Sequence, residues 1–266
     1  MRKDNHEMVA EVVNFEYFSE KNALLTIEKT NKIIRKFTYE DLDPPIIGKL
    51  EIKGEKHLAN SYTVIDESIW ERSIHCMVFR NSIEPAFCVT LEADITNFKK
   101  KVKAEGISFT LAMVYAVCKC ANEIEALRYR FLDGKIVLYE KIDTAFTYIN
   151  KETGLFKVVN VPLVDGLLEY VEIASQTAEE QKEYFTGSLR NDVFQCSPMP
   201  WVTYTHISHT NSGKKDNATP LFDWGKYYEK DGHTIIPVSI QAHHSFVDGI
   251  HVGQFVDTLQ KYFDEF

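Results

Sequence analysis

Apolar and polar positions alternate with a period of two from Ile236 to Ala242, where Ile236, Val238, Ile240 and Ala242 are separated by Pro237, Ser239 and Gln241. That alternation predicts a half-buried strand. Beyond it, Val252, Phe255, Val256, Leu259 and Phe263 recur at helical spacing, which predicts an amphipathic helix from about Ile250 to the C-terminus. Upstream, Tyr62–Ile65 and Phe87–Leu91 read as strands. Asp94 is placed to cap a helix that carries Ile95, Phe98 and Val102 inward and stops at Gly106, with the lysines at 99, 100, 101 and 103 on its solvated face. Ser108 is placed to cap a second helix, apolar on nearly every side from Phe109 to Ala121 and therefore expected in the core. Arg128–Leu132 and Lys135–Tyr139 flank Asp133-Gly134, a tight-turn dipeptide, and predict a hairpin. Strands follow at Thr144–Ile149 and Phe156–Val159, then a helix from about Leu167 with Val171, Ala174, Ala178 and Phe185 on one side, then a strand at Val202–Ile207.

Strands interspersed with amphipathic helices predict an α/β fold, a two-layer sandwich in which a mixed sheet is covered by helices. Residues 1–57 read differently. Short β-branched and aromatic runs at Val9–Phe18, Ala23–Ile27 and Lys32–Phe37, separated by polar turns, predict a small β element appended to residues 58–266, and Pro44-Pro45 ends its pattern.

Composition changes this picture little. The chain has 266 residues, 44% hydrophobic and 26% charged, enough for a sizeable core. A net charge of -9 with scattered lysines argues against a nucleic-acid surface but leaves room for a local basic pocket around a phosphorylated cofactor. Five cysteines without a Cys-x-x-Cys read as reduced thiols. The longest apolar-rich run, Phe109–Cys118, is far shorter than the ~20 residues a membrane span needs, so the protein is expected in the cytoplasm.

The candidate chemistry sits in Gln241-Ala-His-His-Ser-Phe-Val-Asp-Gly249, between the predicted strand and the last helix. Strand parity puts His243 and His244 on opposite faces, with His244 on the apolar one, so that one is structural while the other serves as a general base. A pair of satisfied structural histidines is the alternative. Another reading makes His206, His209, His243, His244 and Asp248 the ligands of a metal-dependent hydrolase. His206 and His209 lie three apart on a strand-like run, an offset that points to opposite faces and chelates poorly. No metal is therefore expected.

The motif His-His-x-x-x-Asp-Gly resembles that of the coenzyme-A-dependent acyltransferases, which include chloramphenicol acetyltransferases, the catalytic domains of dihydrolipoamide acyltransferases and peptide-synthetase condensation domains. Gly225-Lys-Tyr-Tyr228, Ile236–His244 and Asp248–Gly253 are similar to the chloramphenicol acetyltransferase family in particular. Trp70-Glu-Arg72, Asp94-Ile-Thr96 and Ser197-Pro-Met-Pro-Trp201 extend the likeness from about residue 58 to the end. The resemblance implies a homotrimer with active sites between subunits and acetyl-coenzyme A (acetyl-CoA) as co-substrate. It further implies His244 as base, Ser197 as the oxyanion donor, Arg72 and Asp248 as a bracing ion pair, and Trp201 and Tyr227 near the coenzyme. Residues 58–266 would be the catalytic domain, inactivating chloramphenicol by O-acetylation.

At the acceptor pocket, Ile83 and Phe87 fit the family's apolar wall, but Ile207, His209 and Asn211 stand where the family has phenylalanine, leucine and valine. Asp223 replaces a threonine there. These departures fit a more polar hydroxyl acceptor. A non-catalytic ligand-binding relative is the remaining alternative, against which the joint presence of His244, Ser197, Arg72 and Asp248 argues.

Overall fold

The computed structural model describes residues 60–185, 190–209 and 216–266 in full, and residues 11–19, 22–29 and 32–37 as strands. It divides into two compact units, residues 1–58 and 59–266. In the first, strands β1 (Glu11–Ser19), β2 (Asn22–Lys29) and β3 (Lys32–Phe37) form an antiparallel sheet in chain order. Pro44-Pro45 lies outside the described residues.

The second unit is built on a mixed seven-stranded sheet. Its spine is β13 (His233–His243), paired antiparallel on one edge along its whole upper length with β5 (Ala86–Asp94). The other edge of β13 takes β11 (Leu221–Trp224) and β12 (Tyr228–Lys230), one beyond the other. Gly225 lies at the break between them. A Cβ there would come within 2.7 Å of the Val202 carbonyl oxygen and 2.8 Å of Pro237 Cγ, so the close approach requires glycine. β10 (Val193–Cys196) runs parallel to β11, β8 (Asp143–Ile149) parallel to β10, and β9 (Phe156–Val161) closes the sheet antiparallel. A smaller antiparallel sheet joins β4 (Tyr62–Val64) and β6 (Tyr129–Leu132) to the two edges of β7 (Lys135–Tyr139). Its hairpin turns at Asp133 and Gly134 with φ of 50° and 78°, the left-handed pair the dipeptide predicts.

Helices α2 (Thr96–Ala104), α3 (Phe109–Asn122), α4 (Leu167–Glu180) and α5 (Gly249–Glu265) form the second layer. The α3 helix is buried continuously from Leu111 to Cys118, and Ser108 Oγ accepts from the Leu111 amide at 3.4 Å. Asp94 Oδ1 accepts from the Thr96 amide at 2.9 Å at the head of α2. Val252, Phe255, Leu259 and Phe263 of α5 are buried, and Phe98 meets Phe263 and Phe266 in tilted ring contacts where α2 meets α5.

Four expectations are corrected. Strand β13 is buried on both faces through Pro237 and Ser239, because it is paired on both edges and covered on the second face by Tyr204, whose hydroxyl lies 3.4 Å from Ser239 Oγ. Val202–Ile207 is not a strand: its alternating side chains find no ladder, and the segment lies as a largely exposed loop. Phe185 falls beyond the end of α4 and is exposed. An additional helix, α1 (Ser73–Arg80), lies where no element is predicted.

Candidate active site

The loop His244–Asp248 leaves β13 and enters α5, and Arg72, the residue just before α1, organises it. The Arg72 guanidinium clamps Asp248 with both nitrogens, Nη1 to Oδ2 at 2.5 Å and Nη2 to Oδ1 at 2.7 Å. It also donates from Nε to the Ser245 carbonyl at 2.7 Å and from Nη2 to the His244 carbonyl at 3.1 Å. One planar fork thus ties the backbone at the start of the loop to the head of α5. Asp248 is the N-cap of that helix, and its amide donates to His251 Nδ1 at 2.9 Å. The hydrogen bonds from Arg72 hold the Asp248 carboxyl down at about 2, while burial and then the Arg72 charge lower His251.

The two histidines separate as structural and accessible. His243, the last residue of β13, is buried against Phe131 and Phe246, and its Nδ1 accepts from the Ser245 amide at 3.1 Å. His244 sits one step into the turn with its side chain 37% exposed. Its ring stacks on Phe79 of α1 at 3.9 Å and 9°, and meets Phe87 of β5 at 4.9 Å. The apolar surroundings of His244 therefore come from two other elements and not from strand parity. Nδ1 lies 3.2 Å from Asp248 Oδ1 without hydrogen-bonding geometry. Phe79 is a site residue the sequence reading missed. The tight-packed Trp70-x-Arg72 motif just before it was the available signal.

The remaining candidates gather elsewhere. Ser197 follows β10, and its amide donates to the Phe222 carbonyl at 2.9 Å. Cys196 pairs with Phe222, so Ser197 comes beside Asp223 of β11, and Asp223 in turn pairs with Ser239 of β13. His244 comes just past the end of β13, and the four strand steps from Ser239 to His243 alone span roughly 14 Å at ~3.4 Å per residue. No hydrogen bond or ring contact joins His244 to Ser197 within the single chain. Asp223 is completely buried, with Oδ2 2.6 Å from His209 Nε2. Burial pushes its carboxyl up, and His209 holds it back.

Tyr227 lines a third feature, a cavity of about 560 Å³ walled by Lys99, Lys103, Lys226, Phe109 and Trp224. Lys99 Nζ stands 4.2 Å above the Tyr227 ring. Partly buried Lys99 and exposed Lys103 thus line this cavity from the solvated side of α2. Three ammonium groups beside aromatic walls fit a phosphorylated, ring-bearing ligand such as a coenzyme. Trp201 does not line it and is 67% exposed. Ile83 is fully in solvent and Ile207 half-buried; Asn211 is outside the described residues. Among the described residues there is no group of three or more metal-ligating side chains, and no helix is long and apolar enough to cross a membrane.

The two-layer fold recurs in solved acetyltransferases. A probable dihydrolipoamide acetyltransferase from Listeria monocytogenes superposes with a TM-score of 0.54 at 14% identity, covering 73% of this chain and 89% of that one, which shows the fold alone. A solved chloramphenicol acetyltransferase superposes with a TM-score of 0.70 at 28% identity over 76% of this chain and 99% of that chain. Fold and histidine loop together define an acyltransferase. The family described as chloramphenicol acetyltransferase matches residues 60–260. Chloramphenicol acetyltransferases from Klebsiella and Escherichia coli are each 29% identical over 207 residues, covering 77% of this chain and 94% of theirs. A chloramphenicol acetyltransferase 2 from Haemophilus influenzae is 26% identical over 77% of this chain and 98% of its own. The chain belongs to the chloramphenicol acetyltransferase family.

Proposed function

We propose that the protein transfers an acetyl group from acetyl-CoA to a hydroxyl of chloramphenicol, with His244 as the general base. The observation that carries this reading is the His244 imidazole itself: half-exposed at a strand end, held between Phe79 and Phe87, on a loop braced by Arg72 and Asp248. His244 takes the proton of the acceptor hydroxyl as its oxygen attacks the thioester carbonyl. The Ser197 hydroxyl donates to the oxyanion that develops. When the tetrahedral centre collapses, the C–S bond breaks, and protonated His244 returns its proton to the departing thiolate. The products are the acetyl ester and free coenzyme A, and no covalent enzyme intermediate is needed. Phe79 and Phe87 cover part of the His244 ring, and a second copy closing over its exposed part would exclude water that would otherwise intercept the acetyl group.

The separation of His244 from Ser197 within one chain supports an active site completed by a second copy, in a homotrimer. Exposed apolar side chains surround both halves: Ile74, Met77 and Val78 on α1, Ile83 on the following turn, and Trp201 and Val202 beyond Ser197. An assembly would remove these from water and bring Trp201 to a coenzyme held against Tyr227 and the three lysines.

The test is release of free thiol from acetyl-CoA with and without chloramphenicol. Chloramphenicol-dependent release that falls about 10²–10⁴-fold in His244→Ala, at unchanged thermal stability, is the expected result. A His244→Ala variant that keeps the wild-type rate overturns His244 as base.

A further inference from the structure

Beside the histidine loop lies a second cavity, of about 670 Å³, that the acetyl-transfer steps above do not use. Neither Phe79 and Phe87, which hold the His244 ring, nor Ser197, Asp223 or Tyr227 lines it. One wall is aromatic: Trp70, Tyr129 and Phe246 pack on one another with ring centroids 5.2, 5.7 and 6.2 Å apart. Two exposed carboxylates, Glu71 and Glu125, share the lining with these rings. The Tyr129 hydroxyl donates to Glu125 Oε1 at 2.8 Å, which fixes that carboxylate against the ring wall and leaves Oε2 to receive another group. The basic side chains of the lining do not balance this charge. Arg72 is committed to Asp248 through both Nη1 and Nη2, and to backbone carbonyls through Nε and Nη2. His251 Nδ1 accepts from the Asp248 amide at 2.9 Å, so the imidazole proton sits on Nε2. Burial, and then the Arg72 charge, hold the His251 ring below its ordinary 6.5, so it is neutral at pH 7. An electron-rich aromatic wall beside two carboxylates favours a positively charged, apolar guest.

We propose that this cavity binds an organic cation, an aromatic or quaternary amine, and that the bound cation is an effector of the histidine loop. The ring wall takes the apolar body, and Glu71 and Glu125 take the charge. Coupling to the loop is direct, because three residues of the lining belong to it or hold it. Arg72 donates to the His244 and Ser245 carbonyls, Phe246 is part of the loop, and His251 fixes the Asp248 amide at its far end. A guest packed against all three restricts the backbone that carries His244 without entering the site of the acetyl group. Binding at this cavity does not depend on the acetyltransferase reading, whereas its effect on turnover rests on that reading.

The experiment uses three probes that share one ring and differ in charge: benzyltrimethylammonium, benzamide and benzoate. Each is titrated calorimetrically into the full-length protein, wild type and the Glu71→Gln, Glu125→Gln double variant. Wild type is expected to bind benzyltrimethylammonium at one site at least tenfold more tightly than benzamide, and benzoate more weakly still. The double variant should lose about tenfold in affinity for the cation and keep its affinity for benzamide, at an unchanged thermal midpoint. The loop is read in two ways. In the thiol-release assay, saturating benzyltrimethylammonium should raise the wild-type kcat about fivefold, with the KM for acetyl-CoA and for chloramphenicol unchanged. With selectively labelled histidine, the His244 ring signals, assigned by their loss in His244→Ala, should shift on saturation with the cation and stay fixed in the double variant at the same concentration.

Benzoate binding as tightly as the cation, or a cation affinity that the double variant leaves intact, overturns the site. Cation binding that alters neither kcat nor the His244 signals overturns the effector role. Protein inactive on every acceptor whose His244 signals still shift with the cation sinks the acetyltransferase reading and leaves this inference standing.

Discussion

Asp248→Asn tests the brace of the histidine loop. The Arg72 guanidinium holds the Asp248 carboxyl at about 2 against an ordinary 3.8. At about 1.4 kcal/mol per pH unit, the pairing stabilises the fold by at most about 2.4 kcal/mol. The Asp248 side chain is 32% exposed, so solvent screening reduces this to about 1–2 kcal/mol. Asparagine also leaves the guanidinium without a counter-charge, held only by the Ser245 and His244 carbonyls. The expected total loss is about 2 kcal/mol, below the ~3–5 kcal/mol of a fully buried pair. A depressed folded-state carboxyl adds stability that is fully present above pH 3.8 and disappears as the pH falls through about 2. Urea unfolding of wild type and variant at one protomer concentration should therefore show a constant gap from pH 5 to 8 that closes between pH 4 and 2. A gap under about 0.5 kcal/mol at pH 7, or one that persists unchanged at pH 2, would refute the reasoning.

Three further outcomes follow from single contacts. Phe79→Ala removes the ring stacked on His244 and should lower kcat about tenfold or more by loosening the base, while leaving the KM for acetyl-CoA unchanged; steady-state kinetics on both substrates read this directly. Gly225→Ala drives a methyl group into the Val202 carbonyl and Pro237, and should destabilise the protein by about 1–3 kcal/mol in urea unfolding. Lys99→Ala combined with Lys103→Ala takes two cations from the Tyr227 cavity and should raise the KM for acetyl-CoA about tenfold, at low salt more than at high, with the KM for the acceptor little changed.

Local signals in the chain were strong enough to define several elements before any contact was known. An all-apolar run under a capping serine makes α3 a core helix whatever surrounds it, and Asp133-Gly134 requires the left-handed turn that forms the hairpin. The order of short motifs, Trp70-x-Arg72 through Ser197 and Trp201 to the histidine loop, carried the family. Helix α1 escaped because Ile74, Met77 and Val78 point outward, so its pattern is not that of a helix burying an apolar face within its own chain. Val202–Ile207 misled for the converse reason: its alternation suits a strand, but strand formation needs a ladder, and the contact of the Lys226 amide with the Val202 carbonyl at 2.8 Å does not extend into one.

The site divides along the same line. Residue types, spacing and the identity of the histidine loop are one-dimensional facts, and they determined which side chains could carry acetyl transfer. Which histidine is buried, the stacking of Phe79 on His244, the facing of Lys99 and Lys103 into a cavity, and the pairing of His209 with Asp223 depend on strands and helices distant in sequence meeting in one register. Those were decided only by the tertiary structure, because a side chain's partner across a sheet is fixed by packing that no local pattern encodes.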